Sequence, residues 1–327
     1  MKPKIIVLES NNNLTLPVVE NVINQHFDYE PCDLTKTYDK QGTLFVVNWH
    51  QYQRNKEYID KLILDGYYVL FENFQEAQPV NNGIQEFPKI KNILFGYGAY
   101  CGNQSDTIIE SPLYFWFCES LSWSGRNADY KNVNRIYAPT KKFFMPMNIK
   151  KRERDMAYDL FQDEYHNAIY SYAGIGKQLV DDVPKDQYYW DRYLDINWYN
   201  NTYCSVVVET SMNFGDDSIF VTEKTMKPLA LRHPFLTLGC SGALALLKSA
   251  GFETYDNLFD ESYDLNKSYE ERLKPVHNQI KNITEFNYDA LTVQKMEHNQ
   301  NLFFNENAVK NGLYKEVLAP LLEKINA

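Results

Sequence analysis

Short apolar runs alternate with amphipathic stretches along the first hundred residues. Lys4-Ile-Ile-Val-Leu8, Thr43-Leu-Phe-Val-Val47, Tyr67-Tyr-Val-Leu-Phe71 and Ile93-Leu-Phe95 have the length and the β-branched or aromatic content of buried strands. Between them, Val18, Val19, Val22 and Ile23 share one helical face. A second helix is predicted over 54–65, with Tyr58, Leu62 and Ile63 inward and Gly66 at its C-terminal cap. The aromatic segment Leu113-Tyr-Phe-Trp-Phe117 reads as buried core. From residue 152 the alternation resumes: a helix to Phe161, strands at 168–172 and 203–208, a polar loop at 211–219, a helix from Glu223 and a strand at 234–238. A helix over 243–249 and a strand-like Phe252-Glu-Thr-Tyr255 follow. Beyond the acidic segment 256–264 the pattern is helical, over 269–283, 287–299 and 313–325.

Strands that alternate with helices imply parallel sheets covered on both faces. The chain is therefore predicted to be α/β, with two Rossmann-like αβα domains facing a cleft. Residues 1–140 form the first domain; residues 141–327 form the second and carry a C-terminal helical tail. Ligands of such sheets bind at the carboxyl ends of the strands.

Composition narrows the class. Hydrophobic residues make up 44% of the 327, enough for a folded core, and aromatic residues 15%, including 25 tyrosines. The net charge of −10 argues against an extended nucleic-acid interface, which needs a basic excess. Five widely spaced cysteines (Cys32, Cys101, Cys118, Cys204 and Cys240) include no CxxC, which fits reduced thiols and not a disulfide framework or zinc site. The first residues lack the long apolar run of a signal peptide, and no stretch approaches the length of a membrane span. A cytoplasmic location is expected.

The chemistry centres on Thr222-Glu223-Lys224, at the start of a helix flanked by two very apolar strands. A nucleotide-diphospho-sugar needs backbone N–H groups and cations for its diphosphate, and a carboxylate for its ribose diol. Thr222 can cap the helix, Glu223 can face the ribose and Lys224 can reach phosphate. Thr-Glu-Lys is also an ordinary solvated helix start, with Glu set against the dipole. Pro228, a turn further on, is predicted to break or kink the helix.

Val208-Glu-Thr-Ser211, Phe220-Val-Thr-Glu-Lys224, Leu229-Ala230 and Pro234-Phe-Leu-Thr-Leu-Gly239 together resemble the nucleotide-binding signature of the α-1,3-fucosyltransferase family. They are more similar still to related glycosyltransferases encoded by phages and large viruses. The resemblance implies the GT-B fold, a GDP-fucose-like nucleotide-sugar donor, inversion at the anomeric carbon and no metal or cofactor in the site. It implies that Glu223 contacts ribose, that Lys224 contacts phosphate and sugar, and that Glu209, Ser211, Phe220 and Thr222 belong to the same binding region. Met147-Asn-Ile-Lys-Lys-Arg152-Glu-Arg154 is similar to the Asn/Arg-rich segment that opens this domain, which makes Arg152 the expected second phosphate cation. Phe220 stands where the family has Tyr, Thr210 where it has Asn, and the 211–219 loop is longer.

The catalytic base is expected from the first domain, among polar residues at the carboxyl ends of strands: Glu72 above all, with His50 and Glu9 as alternatives. Gly174-Ile-Gly176-Lys177 lacks the full P-loop pattern, but Gly174 can bring backbone N–H groups to a diphosphate. Gly96-Tyr-Gly98 with Gly102 misses the dinucleotide fingerprint by one residue, which disfavours an oxidoreductase. Asp216-Asp217 reads as a solvated loop and not a metal site. Two further readings stay open: transfer to a hydroxymethylated DNA base, and nucleotide-sugar binding without turnover.

Overall fold

The computed structural model describes residues 4–7, 25, 28–47, 49–73, 92–98, 108–126, 130, 139–177, 179, 196–210 and 219–326. The predicted helix around Val18–Ile23, together with Glu9, Ser211 and Asp216-Asp217, lies outside them. The chain forms two units: Met1–Ser122 with Glu306–Ala327, and Trp123–Asn305. Both are α/β with parallel sheets, the class that the alternation of strands and helices predicts.

In the first unit, β1 (Lys4–Val7), β2 (Asp28–Pro31), β3 (Thr43–Val47), β4 (Tyr68–Asn73), β5 (Ile93–Tyr97) and β6 (Ile108–Glu110) form a parallel sheet in the order β2-β1-β3-β4-β5-β6. The four strands foreseen from apolar runs are its inner ones. The two edges, β2 and β6, are short and carry charge or proline, which leaves little apolar pattern to read. All five residues of β3 are buried, as both faces of a covered parallel strand must be. Phe45 meets Tyr38 and Tyr67 edge-on, each with ring centroids 5.4 Å apart. The Lys56–Leu64 helix buries Ile59, Leu62 and Ile63, and Gly66 takes the left-handed φ of +85° that ends it.

The aromatic segment Leu113–Phe117 is buried apart from Phe115, and it opens the helix Tyr114–Arg126. The C-terminal helices Glu306–Leu313 and Ala319–Asn326, joined by a π-helical turn at Tyr314–Leu318, return to it. Glu316 accepts a hydrogen bond from the Ser111 hydroxyl at 2.8 Å, beside the start of that helix. Gly312 passes so close to Phe117 that a Cβ there would lie 2.5 Å from the ring. These contacts group the tail with the first unit, whereas the sequence reading placed it in the second domain and drew the boundary near 140.

In the second unit, β7 (Lys141–Met147), β8 (Ala168–Tyr172), β9 (Thr202–Val208) and β10 (Phe235–Leu238) pair in parallel in the order β10-β9-β7-β8. The basic and aromatic run that opens at Lys141 is therefore a central strand. Its lysines sit at the sheet margin and Phe143 to Met145 lie in the core. Residues 252–255 do not join the sheet. The Asn299 side chain holds Glu253 instead, accepting from its N–H and donating to its carbonyl, both at 2.8 Å.

Gly312→Ala is predicted to lower stability by about 1–3 kcal/mol through overpacking against Phe117. The usual Gly-to-Ala change inside a helix would raise it by up to about 1 kcal/mol. Urea unfolding measures the sign.

Candidate functional site

The helix Glu223–Ala230 is fixed at both ends. At its start, Glu209 is completely buried and its carboxylate accepts four hydrogen bonds. These come from Thr222 N (3.1 Å), Thr222 Oγ1 (2.5 Å), Thr225 Oγ1 (2.6 Å) and Thr210 N (3.2 Å). Thr222 in turn caps the helix, its Oγ1 accepting from Lys224 N at 3.4 Å. At its end, Gln300 donates to the carbonyl of Ala230 at 2.9 Å and accepts from Arg232 Nε at 2.7 Å. Arg232 adopts the left-handed φ of +52°. Helix ends leave unpaired backbone groups, and both ends here are given partners from outside the helix. The helix runs through Pro228 to Ala230 and does not break there.

Beside this helix lies a cavity of about 600 Å³ within the second unit, on one face of the sheet and at the carboxyl ends of β7, β8 and β9. Lys151, Arg154, Lys224 and Lys227 line it, against the single lining carboxylate of Glu223 among the described residues. In a chain of net charge −10 this is a local concentration of positive charge. Burial works to raise the Glu223 carboxyl, but Lys224 and Lys227 outweigh it and hold the group below its usual range, so it is ionised. Lys224 Nζ bonds the Glu223 carboxylate and reaches Thr210 Oγ1 at 2.8 Å. Lys151 Nζ donates to the Thr210 carbonyl at 2.8 Å.

Arg154 is the buried cation of the group, 2% exposed. One guanidinium nitrogen donates to the Ile149 carbonyl at 2.9 Å, while its Nε has no hydrogen-bond partner. Burial lowers its affinity for the proton, and Glu209 and Glu223 oppose that effect. Arg152, the cation expected from sequence, does not line the cavity: it is exposed and paired with Glu270 at 3.1 Å. Two residues along a helix is a rotation of about 200°, so Arg152 and Arg154 face opposite ways. The signal for Arg154 was present in its spacing from Ala157 and Phe161, both fully buried on the same helical stripe. Lys227 likewise follows Lys224 at the three-residue spacing that shares a face.

The other expected site residues fall in different places. Phe220 is buried and does not line the cavity, and Glu209 acts on Thr222 and Thr225 instead of facing the cavity. Gly174 N–H is taken by the Asn148 carbonyl at 2.6 Å, so it is not directed at a ligand; its neighbours Ser171 and Ala173 line the cavity. A Cβ on Gly174 would lie 2.5 Å from Lys150 N, so glycine there permits two loops to touch. In the first unit, Glu72 is the penultimate residue of β4, half-buried, and accepts from the Tyr114 hydroxyl at 3.2 Å. Burial pushes its carboxyl up to about 7 against that hydrogen bond. His50 lies in the short helix Trp49–Arg54 that follows β3.

No protein-family model matches the chain, and no curated protein matches it. Solved structures similar to it include two of alpha1,3-fucosyltransferases. One is a crystal structure of an alpha1,3-fucosyltransferase with GDP-fucose, at 12% identity and TM-score 0.49, the match covering 100% of this chain and 91% of that one. The other is a crystal structure of alpha1,3-fucosyltransferase, at 9% identity and TM-score 0.49, covering 100% and 90%.

Glu209→Gln removes the charge that four donors share and is predicted to cost about 2 kcal/mol. Thr225→Val, which removes one of those donors, is predicted to cost about 1 kcal/mol. Chemical denaturation of the two variants checks the ranking.

Proposed function

We propose that the chain is a glycosyltransferase whose second unit holds a nucleotide-diphospho-sugar in the cavity beside the Glu223–Ala230 helix. The observation that carries this reading is Arg154: a guanidinium nearly excluded from water, with an unpartnered Nε, in a cavity where three lysines surround one ionised carboxylate. Burying such a cation is costly unless an anion completes it. A diphosphate supplies that charge and suits a guanidinium bidentately. Glu223 is then the acceptor for the ribose hydroxyls, and binding exchanges the Lys224–Glu223 pair for Lys224 on phosphate. The signature over 208–239 supports a GDP-fucose-like donor and the GT-B arrangement.

In the proposed reaction an acceptor hydroxyl loses its proton to a general base as its oxygen bonds to the anomeric carbon. The bond from that carbon to the diphosphate oxygen breaks on the opposite face, which inverts the configuration. Arg154, Lys151 and Lys224 stabilise the charge on the departing diphosphate. Glu72 suits the role of base because burial holds its carboxyl near 7, where it is both available and basic enough to accept a proton. His50 is the alternative base at the neighbouring strand end.

Arg154→Met and Lys224→Ala are each predicted to weaken nucleoside-diphosphate binding by at least about tenfold, and Arg152→Ala by less than about twofold. Calorimetric titration of the three variants measures this; equal losses at 152 and 154 would sink the assignment.

The base must be ionised to work, so kcat/KM is predicted to fall about tenfold per pH unit below roughly pH 7. Glu72→Gln should remove that acid limb along with about 10²- to 10⁴-fold of the rate. A Glu72→Gln profile that keeps the limb moves the role to another residue.

A further inference from the structure

The cavity extends beyond its cationic end. It runs back along β9 to Ser205, three residues and about 10 Å before Val208. The walls there are the rings of Phe144, Trp198, Tyr199 and Pro228. Phe144 sits opposite Ser205 in the strand register, and its ring centroid lies 5.0 Å from that of Tyr199 and 5.7 Å from that of Trp198. An apolar, ring-lined recess beside a cluster of cations matches a ligand with a ring at one end and negative charge at the other.

Ser205 gives this slot a fixed polarity. Its Oγ lies 2.7 Å from Nδ1 of His233, a completely buried imidazole. On the far side of the ring, Nε2 lies 2.9 Å from the Thr202 carbonyl and 3.3 Å from Thr202 Oγ1. Thr202 Oγ1 gives its own proton to the Trp198 carbonyl at 2.7 Å. A carbonyl can only accept, so Nε2 bears a ring proton; complete burial against the uncharged Ser205 and Thr202 disfavours a second, charging proton on Nδ1, which therefore accepts the proton of Ser205. The hydroxyl therefore has no proton left for the cavity and presents only lone pairs to it.

We propose that this inner slot holds the base of the nucleotide, and that Ser205, oriented by His233 and Thr202, selects a heteroaromatic ring that turns an N–H donor toward it. A ring edge bearing only acceptors would face the Ser205 lone pairs without a proton between them and be rejected. His233 and Thr202 are positioning residues: they set the direction of the serine proton without touching the ligand. The proposal rests on the nucleotide-sugar reading and adds to it the residue that discriminates among bases.

The test is calorimetric titration of the full chain with the common nucleoside diphosphates. It continues with versions of the tightest binder in which each ring-edge N–H is methylated in turn. One methylated version is expected to bind the unaltered protein at least about tenfold more weakly than its parent, and Ser205→Ala is expected to bind the two within about threefold. Where Ser205→Ala fails to fold because His233 loses its partner, Ser205→Cys is measured instead. Sulfur is a poor acceptor, so the preference is expected to shrink at least about threefold. A preference that survives intact in the variant overturns the proposal. So does tight binding of every methylated version to the unaltered protein, and either result leaves the nucleotide-sugar reading standing. Absence of binding by any nucleoside diphosphate removes both.

Discussion

The buried carboxylate of Glu209 organises the second unit's site. A fully desolvated charge survives only when its lone pairs are taken up, and here the donors come from two places in the chain: Thr210 on its own strand end, and Thr222 with Thr225 at the start of the next helix. Satisfying the charge therefore requires the helix to begin at the carboxyl end of β9 and nowhere else. Once it begins there, Glu223, Lys224 and Lys227 are delivered to the cavity wall. Gln300 closes the other end of the same helix, which continues through Pro228 to Ala230.

The cavity joins two chemical environments that rarely coexist in a core. Lys151, Arg154, Lys224 and Lys227 gather near the strand ends, while Phe144, Trp198, Tyr199 and Pro228 enclose the deeper part. A chain of net charge −10 has to confine such a cluster, because cations spread over its surface would be neutralised by neighbouring acids. Arg152 shows that outcome in its exposed pair with Glu270. Arg154, two residues away, lies on the buried stripe of its helix, beyond the reach of surface acids. The first unit carries a different device: the Glu72 carboxyl, whose proton affinity is raised by burial and moderated by Tyr114.

Much of the architecture was legible in the apolar periodicity. The inner strands of the first sheet, the strands at 168–172, 203–208 and 234–238 of the second, the helix capped by Gly66 and the helix that begins at Thr222-Glu223 all carry strong local patterns, whereas the central strand β7 opens with two lysines and contains a proline. The edge strands β2 and β6 lack such a pattern, because an edge buries little and so constrains its sequence little. Residues 252–255 look like a strand by composition yet remain outside the sheet, because a side chain on a distant helix, Asn299, occupies their backbone groups. The tail groups with the first unit because Gly312 and Glu316 fit Phe117 and Ser111, a match between surfaces about two hundred residues apart in the chain that no local window contains.

The sequence by itself determined an α/β chain with parallel sheets and a Thr-Glu-Lys corner between two buried strands. These features follow from local propensity and periodicity, which act over a few residues. Only the tertiary structure decided that Arg154 and not Arg152 enters the cavity, that Glu209 holds the helix instead of facing a ligand, and that Gly174 serves a close contact between loops. It also placed Ser205 against His233, 28 positions away. Burial of charge and the satisfaction of polar groups depend on every element that packs around them, and that environment exists only once the chain has folded.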